Sequence, residues 1–255
     1  MVERWQYCIS AGAQGHKTLA HTRSCMGRPR LTEKRRAQIL KVAVRVISAN
    51  GLCDVNVASI ATEAGMSPAL VLHYFGTKDR LLADTLHYSD ERFYARVAEE
   101  LERTDGSGLR LTRLLELTCL ACSDVNSETH DDWVLWVELW ARSMRDPNLA
   151  EERLLLDHRW RQLIANVVAD GIQEGQFTHS DSAQFAVLLG ALIDGFIIQI
   201  LLNDSVVSAS WALERCLEFC SKELKWERDS GLRDDCRDCP KFSNPSEAFG
   251  TKTAE

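Results

Sequence analysis

GLCDVNVASIATEAGMSPALVLHYFGTKDRLL, residues 51–82, encodes two short helices joined by a tight turn. Asn56 is placed to cap a helix over Val57–Ala64, and Gly65 stops it. Ser67 then caps a second helix, with Pro68 at the first helical position, where its missing N–H leaves no hydrogen bond unmade. Ala61, Gly65, Met66 and Val71 supply the small packing residue, the turn glycine and the apolar lock that a helix-turn-helix requires. Gly76 closes the second helix, and a longer one follows from Thr77 with Leu82, Leu86, Phe93, Val97 and Leu101 on one face.

Upstream, Ile39, Ala43, Val46 and Ile47 recur at steps of three and four, so a further helix precedes the pair. Thr32 is its expected N-cap and Asn50-Gly51 its stop. Residues 1–25 show no such period, and the expectation is that residues 1–30 are disordered or an extension upstream of a start at Met26. Downstream of the break Asp105-Gly106-Ser107-Gly108, helical patterns cover roughly 109–123, 130–145, 148–174, 181–203 and 208–225. No strand-like alternation runs beyond a few residues, so the fold class is all-α. The expected division is a helix-turn-helix domain at 31–77, a helical sensing and dimerisation domain at 78–226, and a disordered polar tail at 227–255.

Charge supports the assignment. The net charge of −7 argues against a polyanion partner until it is divided along the chain. Residues 1–80 carry +7 and the remainder −14, and Arg23–Arg45 holds eight bases against the single acid Glu33. A basic segment ahead of an acidic body suits a nucleic-acid module joined to something else. The motifs G-x-S-x-G and HExxH, the Walker loop and a dinucleotide fingerprint are all missing, so no enzyme is expected.

The segment 51–82, with its HYFGTKDRLL ending, resembles the DNA-binding part of the TetR family of bacterial regulators. WVELWARSMRDPNL and GALIDGFIIQILL resemble the C-terminal half of that family's BetI-like branch. The resemblance implies a cytoplasmic homodimer on double-stranded operator DNA, with repression relieved by a small molecule and no cofactor. On that basis Ser67 caps the recognition helix, Pro68, Ala69 and Leu70 face base edges, and His73, Tyr74 and Lys78 contact the DNA backbone. Asn56 belongs to the same surface. Arg28, Arg30 and Lys34 form a basic arm reaching phosphates or a minor groove. Leu72 and Phe75 are expected in the core. Relatives often carry a basic residue where this chain has Pro68 and Tyr where it has Leu72, so the recognition helix is poor in bidentate donors. Readout through thymine methyls and DNA shape gains weight accordingly.

In the sensing half, Trp133, Trp136 and Trp140 lie at helical spacing on one helix, with Glu138 and Arg142 beside them. That stripe reads as core or as a cavity wall. Trp160 could close such a cavity with Arg159 or His158 as polar anchor, and Cys122 and Asp194 join the candidate set. Phe185–Leu202 is eighteen residues long and strongly apolar, but its Asp194 would cost about 3 kcal/mol in a bilayer. It reads instead as a dimer helix, with Leu189, Gly190, Ile193, Phe196 and Ile197 facing a partner beside Trp211 and Leu217, and no membrane partner is expected. The pairs Cys119/Cys122 and Cys236/Cys239 leave a metal or redox sensor as an alternative, and a ligand-independent DNA-binding dimer as another. Cys119 lies among leucines and reads as apolar filler, so no metal site is expected.

Overall fold

The computed structural model describes residues 28–51, 54–125, 127–178 and 181–227. Among them are nine helices and no strand. These are α1 (Arg28–Asn50), α2 (Val57–Glu63), α3 (Pro68–Phe75), α4 (Lys78–Glu102), α5 (Ser107–Cys119), α6 (Glu128–Ser143), α7 (Pro147–Gln173), α8 (Ser182–Leu201) and α9 (Ala209–Leu224). Two compact units divide the chain within α1, at Met1–Arg36 and Ala37–Glu255. Of the first, the described part is the opening of α1, where Thr32–Arg35 are exposed. The expected cap at Thr32 is therefore corrected: α1 begins at Arg28, with Pro29 in the first turn, a position its fixed φ favours. Residues 28–30 are helical, whereas Met26, the earlier residues and the tail pair Cys236/Cys239 lie outside the described residues.

The expected caps form the helix-turn-helix. Asn56 accepts the Ser59 N–H at 2.9 Å, Ser67 that of Leu70 at 3.2 Å, and Thr77 that of Arg80 at 3.1 Å. Each satisfies one of the donors left orphaned at a helix start. Gly65 turns the chain at φ +66°, and the Met66 N–H then donates to the Ala61 carbonyl at 2.9 Å. Ala61 is fully buried at the crossing, against Ile60, Val71 and Phe75.

That core does not end with the motif. Ile39, Ala43 and Ile47 of α1 share one buried cluster with Leu82 and Leu86 of α4, Leu135 and Leu139 of α6, and Leu156 of α7. The expected boundary at 77/78 falls at the N-cap of α4, within this shared core. Lys41 of α1 is further tied to Glu128 of α6 at 2.6 Å.

The remaining helices form a second core. α7 packs on α8, α8 on α9, and α5 against both α7 and α9. Leu111, Leu114 and Leu115 of α5, Ile164 and Val168 of α7, Phe185, Leu189 and Ile193 of α8 and Leu224 of α9 are among the buried side chains of these helices. Each such side chain contributes roughly 1.5–3 kcal/mol by leaving water. α8 is long and apolar enough by composition to cross a bilayer. One of its sides, Phe185, Ala186, Leu189, Ile193 and Ile197, is buried in this protein core.

Candidate DNA interface and effector cavity

On α3, Val71 and Phe75 point inward while Ser67, Pro68, Ala69, Leu72 and His73 are exposed. Leu70 and Tyr74 are half-buried, Tyr74 packing against the core. Leu72 corrects the sequence expectation, because at 39% exposure it lies outside the core. Its place was legible: three residues from Ala69 and four from Pro68, it falls on their face of the helix. The outward surface is thus apolar where α3 begins and carries His73, edge-on to Tyr74 at 5.8 Å, farther along. Asn56 is exposed but already occupied as the α2 cap. Lys78 opens α4 half-exposed and makes no ion pair among the described residues. Lys34 is exposed on α1; the side chains of Arg28 and Arg30 lie outside the described residues.

A cleft with about 580 Å³ of empty space, part of it open to solvent, lies in the sensing half. Asp90, Phe93 and Tyr94 of α4 form one wall, and Asp132, Trp133, Trp136 and Trp140 of α6 another. Asp157, Trp160 and Arg161 of α7 and Gly190 and Asp194 of α8 complete it. The aromatic rings interlock, with Phe93 and Trp160 edge-to-face at 5.8 Å and Trp136 tilted on Trp140 at 6.2 Å. The Trp160 ring lies beside Gly190 of α8, where a Cβ would make ordinary contact at 3.6 Å from its Nε1. Two buried polar atoms of wall residues have no hydrogen-bond partner among the described residues: the Trp160 Nε1 donor and the Asp90 Oδ1 acceptor. Such atoms carry a desolvation cost unless something in the cavity bonds them.

The four carboxylates differ in their partners. Asp132 accepts the Ser89 hydroxyl at 2.5 Å, Arg92 at 2.6 Å and Arg96 at 3.1 Å. Arg159 donates to Asp90 at 2.6 Å and to Glu91 at 2.7 Å, its guanidinium 4.0 Å from the Tyr94 ring centroid. Arg153 holds Asp157. Asp194 has no hydrogen bond or ion pair among the described residues. Burial pushes its carboxyl up to about 7, neighbouring Asp157 adding to the rise and Arg161 opposing it. Burial likewise lifts Asp90 to about 6 against the pull of Arg159.

Of the candidate ligand residues, Trp133, Trp136, Trp140, Trp160 and Asp194 are brought together on this cavity. Arg159 and His158 are not on its wall; Arg159 instead clamps α7 to α4. Cys122 is also elsewhere, buried with its thiol donating to the Cys119 carbonyl at 3.0 Å and pushed up to about 12 by burial. The α4 wall was missed from sequence, although Phe93 and Tyr94 beside Asp90 repeat the same mix of aromatic and acid.

The expected dimer set needs correction by part of a turn. Leu189, Ile193, Ile197 and Leu217 are buried within the protomer, and Gly190 lines the cavity, so none presents a face to a partner. Phe196 and Trp211 are half-buried against each other at 5.5 Å. The open side of α8 carries Val187, Leu188, Ala191 and Gly195. Cys119 and Cys216 interact between α5 and α9, and all four described cysteines are free and buried. No group of three or more potential ligands able to hold a metal occurs among the described residues.

A helix-turn-helix sharing its core with a bundle that encloses an aromatic cavity defines a class: a DNA-binding regulator that responds to a small molecule. Residues 39–85 match the model of bacterial regulatory proteins of the tetR family, and residues 110–225 that of the BetI-type transcriptional repressor C-terminal domain. The transcriptional regulator BetI of Burkholderia thailandensis is 30% identical over 165 residues, 65% of this chain and 80% of that protein. BetI of Brucella anthropi is 29% identical, over 76% of this chain and 95% of its own. Among solved structures, a regulator from Saccharomonospora viridis in complex with choline is 28% identical, with a TM-score of 0.69 over 77% of this chain and all of that one. The chain belongs to the TetR family and is a ligand-responsive transcriptional regulator with a BetI-type repressor domain.

Proposed function

We propose that this regulator acts in the cytoplasm as a homodimeric repressor, released from operator DNA when a small organic cation enters the cavity. The observation that carries the reading is the composition of that wall: six aromatic rings, with Asp194 a carboxylate that no arginine pairs among the described residues. Aromatic faces attract cations electrostatically, each by about 0.5–2 kcal/mol depending on desolvation, and suit quaternary ammonium groups that have no N–H to donate. An anionic ligand would meet the carboxyl of Asp194 instead. The choline bound by the Saccharomonospora regulator belongs to the favoured class. A polar group on the ligand would have the unpartnered Trp160 N–H to bond as acceptor, or Asp90 Oδ1 as donor.

On the DNA side, Pro68, Ala69, Leu70 and Leu72 form the surface that enters the major groove. His73, Tyr74 and Lys78 hold phosphates, with Arg28, Arg30 and Lys34 reaching flanking DNA. A second copy docks on the open side of α8. The two ends communicate through α4, which places Lys78 and Asp90 about 18 Å apart on one rigid helix. α6 reinforces the link, with Leu135 and Leu139 in the helix-turn-helix core and Trp133, Trp136 and Trp140 on the cavity. A ligand that prefers a wider separation of α4 from α6 and α7 shifts both copies of Lys78 away from their phosphates.

Tryptophan fluorescence titration of the full chain with tetramethylammonium and choline checks the cation assignment. Saturable quenching, weakened at least tenfold in Trp136→Ala, is expected. Saturation by an anionic amphiphile, with no response to either cation, would overturn it.

A further inference from the structure

Three of the four cavity carboxylates are already neutralised by the protein's own arginines: Asp90 by Arg159, Asp132 by Arg92 and Arg96, Asp157 by Arg153. Asp194 alone has no such partner among the described residues. It stands one turn after Gly190 on the same face of α8, and Gly190 is where the Trp160 ring comes against that helix. Asp194 and the Trp160 indole therefore line the same part of the cavity.

Resting on the cation reading above, we infer that Asp194 is the specificity-determining residue that pairs with the effector's charged group, and that effector binding expels a proton from it. The groups that face it explain why the proton is there to expel. α7 presents Asp157 and Arg161, α6 presents Asp132 and α4 presents Asp90; α5 and α9, which also pack on α8, place no residue on the cavity wall. Arg161 is the one base on the wall, one turn after Asp157 on α7, and its charge opposes the rise at Asp194. Partly withdrawn from water and facing another carboxylate, Asp194 keeps its proton in about half of the empty cavities at pH 7. A bound cation stabilises the ionised form and drives the proton into solvent. The charge inside the cavity then changes little on binding, which spares the fold a buried anion while no effector is present.

The linkage has a definite sign. A carboxyl whose empty-state pKa lies at about 7 must be ionised to bind, so affinity falls as pH drops through that value. From pH 8 to pH 6 the expected weakening is about tenfold. Asp90, lifted to about 6 and facing His87 and Glu91 as well as Arg159, adds its own dependence only at the lower end of that range.

Calorimetric titration of the full chain with tetramethylammonium, in two buffers of different ionisation enthalpy, counts the protons released. Release of about half a proton per site at pH 7 and near none at pH 8.5 is expected. D194N should bind at least tenfold more weakly at pH 8 and lose the pH dependence between pH 8 and 6.5, while D90N keeps it. Cation binding without proton release by the wild type, or an unchanged pH profile in D194N, would overturn the role of Asp194 and leave the cation reading standing. Failure of the wild type to bind the cation at any pH would overturn both. The buffer comparison needs only the wild-type chain, so it decides the matter even where a variant fails to fold.

Discussion

Lys78→Ala separates DNA affinity from folding, because the two respond with opposite signs. Lys78 is the first residue of α4 and has no carboxylate partner among the described residues. Its ammonium sits at the positive end of the helix dipole, a placement that costs about 0.3–1 kcal/mol, whereas Asp79 beside it is favourably placed. Alanine relieves that cost and keeps helix propensity, so the unfolding midpoint in denaturant should stay level or rise. DNA binding should move the other way. Each phosphate neutralised by a lysine contributes about 0.9 to the slope of log affinity against log salt, so the two copies in a dimer contribute about 1.8. Over a fourfold rise in salt the wild type should therefore lose about twelvefold more affinity than the variant. Fluorescence anisotropy of the full chain on the DNA upstream of its own gene, from about 50 to 200 mM salt, reads that difference. An unchanged slope with weakened binding would refute the phosphate contact, and a large drop in stability would show that Lys78 is instead part of the fold.

Two further expectations concern the bundle. Gly171→Ala places a Cβ 2.2 Å from the Phe177 ring, which is itself buried against Trp226 at 5.7 Å, so the ring must shift. Overpacking of this kind costs about 1–3 kcal/mol against a gain in helix propensity of up to about 1, and denaturant unfolding should show a net loss. Leu188→Glu, on the open side of α8, should yield a helical monomer in sedimentation analysis, whereas Leu189→Glu, one residue along and fully buried, should fail to fold. A Leu188→Glu chain that remains dimeric would place the subunit contact elsewhere.

The helix-turn-helix was legible because its signals are local. Asn56, Ser67 and Thr77 cap by bonding backbone three residues ahead, and Gly65 and Gly76 adopt the positive φ their turns need. Helix number and order followed from the same punctuation. The cavity was half-legible: three tryptophans on one helix announce themselves, but Asp90, Phe93 and Tyr94 join them from a helix forty residues away in sequence. That pairing is a tertiary fact, set by Arg92 and Arg96 reaching from α4 to Asp132 on α6. The facing of α8 was the hardest to read, because a helix apolar on nearly every side carries no periodic signal to orient it. Leu189 and Leu188 are chemically identical, yet one is in the core and the other at 49% exposure.

The most direct test of the account is the coupling between cavity and DNA. With the full chain bound to the DNA upstream of its gene, a saturating quaternary ammonium compound should weaken binding at least tenfold. By reciprocity, DNA should weaken cation binding by the same factor. Cation binding that leaves DNA affinity unchanged would contradict the account, since the two sites would then share one molecule without sharing an equilibrium.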